Sequence, residues 1–336
     1  ALGLGWIGFT IGFRFNSRLV ESLTTASTRI SLLNAAIPFG TVLAACAMLL
    51  VWAEHWPANA MFVRDAMILA TAGAMTAYSV PRLLEARGAS AGTVERITSI
   101  VELDQLAGVF GLMLVAAYFR PGRALVDWQL PGTAWLFITL GMGATVGGVI
   151  YAALSRVRGG PEFSLLVLGS VCFVSGMASF LRLSPLVVCF IVGIILVNLP
   201  GGPKEQIREA LTRMERPIYL LFLLVAGSLW DVRQWQGWVL MLIFVAARLA
   251  GKWMGVVAGE RSAREALTPE ERRGLVFSPI GALSIAIVVN ALDLYPDATV
   301  SWMVTAVIGG AVVTEVIVQL ASRSGEITEP AHWGVS

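Results

Sequence analysis

Eleven apolar runs, most of them close to the length of a bilayer crossing, recur through this chain, and a water-soluble fold has no interior large enough to hide them. They fall at about 1–16, 31–53, 62–84, 97–119, 131–154, 161–181, 184–200, 217–230, 237–257, 275–292 and 301–322. A helix needs about 20 predominantly apolar residues to cross the hydrocarbon layer. A helix also satisfies its own backbone polar groups there. Only 14% of residues are charged and 57% are hydrophobic, against about 25% charged in a soluble domain. The expected fold is therefore all-α and polytopic. The chain starts inside its first run, so further helices are expected upstream. The eighth run is short, begins at Pro217, and is expected to extend into its flanks.

The loop charges order these runs. With the side after the first run taken as inside, 17 basic residues sit at inside ends: Arg14, Arg18, Arg29, Arg82, Arg87, Arg96, Arg156, Arg158, Lys204, Arg208, Arg213, Arg216, Arg261, Arg264, Arg272, Arg273 and Arg323. Five sit outside: Arg64, Arg120, Arg123, Arg182 and Arg233. Such an asymmetry is the positive-inside rule, and a wrong run count would scramble it. It predicts a cell (inner or plasma) membrane protein with a cytoplasmic tail, 324–336, after a membrane domain over 1–323. The net charge of +2 gives no reason to expect a nucleic-acid partner. The inside linkers 203–216 and 261–273 are charged and predicted helical; they share Arg-Glu-Ala-Leu-Thr at 208–212 and 264–268, a coincidence by the simplest account.

Enzyme chemistry has little to stand on. Cys46, Cys172 and Cys189 lie in apolar runs and read as buried hydrophobes, and the two histidines, His55 and His332, lie in a loop and the tail. Neither a resident metal nor a cofactor is expected, and no nucleophile motif lies within a run. The chemistry must come from ionisable groups at membrane depth, which are costly there and mark function. These are Glu102, Asp104, Arg248, Lys252 and Glu315. Asp104 lies about 10 Å inside its helix at ~1.5 Å per residue, and Glu102 points to another face. Arg248 and Lys252, four residues apart, share a face. Asp104 also reads as a helix-holding ion-pair partner, and Lys252 as snorkelling to the interface. Arg64 and Asp65 sit at a span entrance, where solvation accounts for them.

Two runs look broken. Thr71-Ala-Gly-Ala-Met-Thr76-Ala-Tyr-Ser79-Val-Pro81 and Ser278-Pro279-Ile-Gly281-Ala-Leu-Ser284 put Gly, Pro and hydroxyls where lipid-facing helices carry Leu and Val. Proline removes a backbone donor, and freed carbonyls at membrane depth survive only where they line a cavity or meet partners. An antiparallel pair of such runs points to a transporter site built from inverted repeats, here roughly 1–154 and 184–322 joined by the run at 161–181.

Met75-Thr-Ala-Tyr-Ser-Val-Pro-Arg-Leu-Leu-Glu-Ala-Arg-Gly88, Ile100-Val-Glu-Leu-Asp104 and Phe277-Ser-Pro-Ile-Gly-Ala-Leu-Ser284 together resemble the monovalent cation/proton antiporter superfamily, in its Kef-like and sodium/proton exchanger branch. The resemblance implies 12 or 13 spans in the full chain, two crossing broken helices, a homodimer, and exchange of Na⁺ or K⁺ for H⁺. It implies an ion-binding Asp104 flanked by Thr71, Thr76 and Ser79, with Lys252 and Arg248 as the basic partners. The sequence departs from the family in having Leu103 where a polar residue usually precedes the aspartate, and in carrying Glu102 and Glu315. Those departures keep open a second reading, an uncoupled channel, sensor or scaffold module that docks a cytoplasmic regulatory partner through its charged linkers.

Overall fold

The computed structural model describes residues 1–16, 24–54, 60–86, 88–120, 130–157, 161–201, 203–295 and 297–326. His55, His332, Arg18, Arg87, Arg123, Arg158, the Arg323 side chain and the tail from 327 lie outside the described residues. The described residues contain helices and no strand: α1 (Leu2–Arg14), α2 (Thr25–Glu54), α3 (Ala60–Ala74), α4 (Ser79–Ala86), α5 (Ala91–Tyr118), α6 (Gly132–Leu154), α7 (Pro161–Phe180), α8 (Pro185–Asn198), α9 (Lys204–Ser228), α10 (Trp235–Ala263), α11 (Pro269–Val276), α12 (Ala282–Leu294) and α13 (Ala298–Glu326). Six of them, α2, α5, α6, α7, α10 and α13, are long and apolar enough to cross a membrane on their own. The protein is a multi-pass membrane protein.

Each apolar run corresponds to one helix or to a split pair. The third and tenth runs are split, as α3–α4 and α11–α12. The eighth does not begin at Pro217: it fuses with the charged linker before it into the single helix α9, with Pro217 inside. The other linker is helical only at its ends. α10 stops where Arg264 takes a left-handed φ of 53°, and α11 starts on a capping box in which Thr268 and Glu271 satisfy each other's backbone donors.

The helices sort into two bundles. α2, α3, α5, α10, α12 and α13 pack on one another as a core, and α1, α7, α8 and α9 form a scaffold that α6 joins to the core through α5. Glycines spaced four apart make the closest seams. On α10, a Cβ at Gly251 would lie 2.6 Å from the Pro38 Cα, and one at Gly255 would lie 3.0 Å from the Leu33 carbonyl. α10 therefore lies almost backbone to backbone against α2. In the scaffold, Gly8 and Gly12 of α1 face the carbonyls of Leu186 and Phe190 on α8.

Two expectations about single residues fail. Arg64 and Asp65 are not solvated: they are 5% and 2% exposed, bonded to each other at 2.7 Å, and Arg64 also pairs with Asp297 at 2.9 Å. The partner comes from the opposite end of the sequence, so no local pattern announces the burial. Cys172 is exposed whereas Cys46 and Cys189 are buried, because a helix this apolar carries no charged stripe to mark its outer face.

Candidate functional site

The two breaks create the site. α3 ends at Ala74, residues 75–78 leave the helix, and α4 resumes at Ser79. Pro81 falls in the first turn of α4, where a backbone N–H has no helical partner to lose, so it begins the second half rather than causing the gap. In the other break, Ser278 precedes Pro279 and is pushed from helical geometry, and Gly281 caps α12 in an extended conformation. The breaks touch: a Cβ at Gly281 would stand 3.2 Å from the Ala77 Cα. The Ser284 hydroxyl donates to the Ala72 carbonyl at 2.8 Å.

Carbonyls freed at this depth need donors, and Arg248 supplies them. Its guanidinium donates to the Met75 carbonyl at 2.9 Å in one break. In the other it donates to the Ser278 carbonyl at 2.7 Å, the Ser278 hydroxyl at 3.1 Å and the Pro279 carbonyl at 3.3 Å. A planar fork with several fixed donors can hold both breaks at once.

One turn further along α10, Lys252 meets Asp104, and both are 0% exposed. The Lys252 Nζ lies 3.3 Å from Asp104 Oδ2 and also donates to the Thr76 hydroxyl at 2.9 Å and the Asn34 carbonyl at 3.2 Å. Asp104 Oδ2 accepts from the Thr76 hydroxyl and the Asn34 amide, each at 2.6 Å, and Oδ1 accepts from the Ser31 hydroxyl at 3.1 Å. Thr76 belongs to the first break, so the carboxylate is joined directly to it. A buried charge is tolerable only when paired and hydrogen-bonded, and Asp104 has both.

The structure thus brings Asp104, Thr76, Lys252, Arg248, Ser278, Pro279 and Gly281 to one crossing. The other residues singled out in the sequence stand apart. The Thr71 hydroxyl donates back to the Met67 carbonyl at 2.7 Å and faces Gly111 of α5. Ser79 and Glu315 are exposed and line a cavity. Glu102 is half-buried on another face of α5. Sequence reasoning missed Ser31 and Asn34. Their signal is an amide and a hydroxyl three residues apart on α2, just before the intrahelical Pro38.

Between core and scaffold runs a cavity of about 700 Å³, lined by Trp6, Thr10 and Arg14 of the scaffold, by Thr76, Ser79 and Gly281 of the breaks, and by Glu215, Arg216 and Glu315. Thr76 is thus common to the cavity wall and the Asp104 cluster. The cavity carries arginines of the side rich in loop cations. There the Arg14 guanidinium lies 4.0 Å over the Tyr78 ring and 3.4 Å from Glu215. On the other side the two bundles touch, with the Ser184 hydroxyl donating to the Asn290 side-chain oxygen at 3.1 Å.

No protein-family model matches this sequence, and no curated protein matches it. Among solved structures it is similar to the sodium proton antiporter MjNhaP1 from Methanocaldococcus jannaschii. The two share 12% identity and a TM-score of 0.60, over 94% of this chain and 81% of that one. The chain therefore has a sodium/proton antiporter-type fold.

Proposed function

We propose that this chain, having an antiporter-type fold, is a secondary active transporter that exchanges a monovalent cation, Na⁺ or K⁺, for protons, with the two competing for Asp104. The observation that carries the reading is the wholly buried Asp104–Lys252 pair at the crossing of the broken helices, one side chain away from a cavity. A lone carboxylate at membrane depth must be neutralised. Three partners can do so: Lys252, a proton or a cation. Because they exclude one another at one site, occupancy by a proton and by a cation alternate, and the two fluxes are coupled.

Each residue then has a role. Thr76 offers its oxygen to the incoming ion, Ser79 lies on the approach, and Lys252 holds the carboxylate between ions. Arg248 keeps both breaks in register as the core rocks against the scaffold. The arginine-rich side is assigned to the cytoplasm, so the cavity makes this an inward-facing state. The inverted halves 1–154 and 184–322, a homodimer in the cell membrane and a cytoplasmic tail belong to the same proposal. The uncoupled reading is supported by Leu103, which stands immediately before Asp104 in place of a polar residue.

The test is cation-driven proton movement in proteoliposomes, with wild type and Asp104→Asn compared. Exchange is expected to vanish in the variant while the protein still folds. Full exchange by Asp104→Asn would refute the assignment, and an uncoupled cation leak by the wild type would select the second reading.

A further inference from the structure

Asn34 on α2 carries a buried polar group with no partner, beside the Asp104–Lys252 pair. The residue is 0% exposed, and its Nδ2 donates to Asp104 Oδ2 at 2.6 Å. Its Oδ1 is buried without a hydrogen-bond partner. The orientation is forced. An ionised carboxylate only accepts, so the amide must turn its nitrogen toward Asp104, which strands its oxygen. Buried acceptors are almost always satisfied, and one left bare beside a charged pair calls for an occupant that this arrangement lacks.

A dehydrated alkali cation fits that description. It needs several oxygens in place of its water shell, as carbonyls supply in cation-selective pores. Around Asp104 the oxygens include its own two, the Thr76 hydroxyl at 2.6 Å, the Ser31 hydroxyl at 3.1 Å and the Asn34 carbonyl that accepts from Lys252. Residue 103 is leucine, so the side chain that precedes Asp104 on α5 adds none. The terminal torsion of an asparagine is soft and roughly two-fold, so half a turn exchanges the amide nitrogen for the oxygen.

We infer that Asn34 is a specificity-determining ligand that works in two orientations. With Lys252 on Asp104, it donates its N–H to the carboxylate. With Lys252 displaced, it turns and presents Oδ1 to the cation as an oxygen from outside the broken helices. The close seam between α2 and α10 makes this geometry available, since Gly255 lets the Asn34 backbone come up against α10. This inference rests on the reading of Asp104 as the exchange site.

The experiment measures exchange with Li⁺, Na⁺ and K⁺ in proteoliposomes for wild type, Asn34→Leu, Asn34→Ser and Asp104→Asn. Loss of one charge-assisted contact is expected to raise the KM of the transported cation at least about tenfold in Asn34→Leu, with the maximal rate within roughly threefold. The ratio of KM values among the three cations should shift, because a ligand is sensed differently by ions of different radius. Asn34→Ser, which keeps an oxygen, should fall between. Should Asn34→Leu fail to fold, Asn34→Ser alone decides by the same KM ratio. Unchanged ratios, or an equal loss for all three cations, would overturn the inference and leave Asn34 a structural contact. If Asp104→Asn exchanges normally, the underlying site assignment fails instead, whatever Asn34 does.

Discussion

α1 and α8 in the scaffold, and α2 and α10 in the core, are both joined through glycines four residues apart, yet the two seams serve different ends. In the scaffold seam, Gly8, Gly12 and Gly193 bring two backbones together among Phe9, Phe13, Val188 and Val192, and the gain is apolar packing. In the core seam, Gly251 and Gly255 do the same for α10 against α2, but the intervening position carries Lys252, whose ammonium donates to the Asn34 carbonyl. Close approach is thus a general way of joining membrane helices. It becomes a site only where a charge sits beside the glycines and a short polar side chain stands opposite.

Lys252→Met should break the core seam's chemistry hardest while sparing its packing. It leaves Asp104 without a counter-charge, a loss of about 3–5 kcal/mol in melting or denaturant experiments. Asp104→Asn added to it should recover most of that loss. A double variant as unstable as the single one would mean the pair is not what holds the seam.

Gly8→Val tests the other seam. The new side chain meets the Leu186 backbone rather than a flexible side chain, so no rotamer relieves it. A loss of roughly 1–3 kcal/mol is expected, read as a lower melting temperature in detergent, with the cation KM of the surviving protein unchanged. A changed KM would show that the scaffold seam also shapes the site.

Gly255→Ala sharpens the contrast with the smallest cost to folding. Its Cβ would stand 3.0 Å from the Leu33 carbonyl and 3.1 Å from the Asn34 Cα, so α2 must give by a few tenths of an ångström. Stability should fall by less than about 1 kcal/mol. The cation KM should rise roughly three- to tenfold, because Asn34 is displaced. Equal KM values for Gly255→Ala and wild type would separate the seam from the ion site.

Much of the site was legible because membrane-depth charges and interrupted runs are expensive and therefore stand out. Asp104, Arg248, Lys252 and the pair of breaks are visible in the sequence for that reason. What escaped was polar but cheap. Ser31 and Asn34 lie at the edge of an apolar run, where a hydroxyl or an amide reads as a helix end, and α2 in fact begins six residues earlier, at Thr25. Thr71 misled in the opposite sense, since a hydroxyl in a helix can satisfy itself on its own backbone, here at Met67. The first break falls inside the stretch Thr71–Pro81, with the chain leaving the helix at Met75 and resuming it before Pro81. The fate of Arg64 and Asp65 depended on Asp297, a partner that no window of sequence contains.

The cavity has a further consequence, for how the protein feels voltage. Its walls carry Arg14, Arg216, Glu215 and Glu315, groups that require water and so bring the potential of one aqueous side deep into the bilayer. Towards the opposite face, the Ser184–Asn290 contact ties scaffold to core, and the buried Arg64–Asp65 pair lies within the core. On the proposed transport reading, the field falls mainly across the layer beyond the cavity. Moving one elementary charge through the full field is worth about 2.3 kcal/mol per 100 mV. On the proposed reading of Asp104 as the exchange site, an ion stepping to it from the cavity crosses only the part of the field between them. On the proposed exchange cycle, the remaining electrical work falls on the motion of the core, so membrane voltage acts there as well as on the held ion.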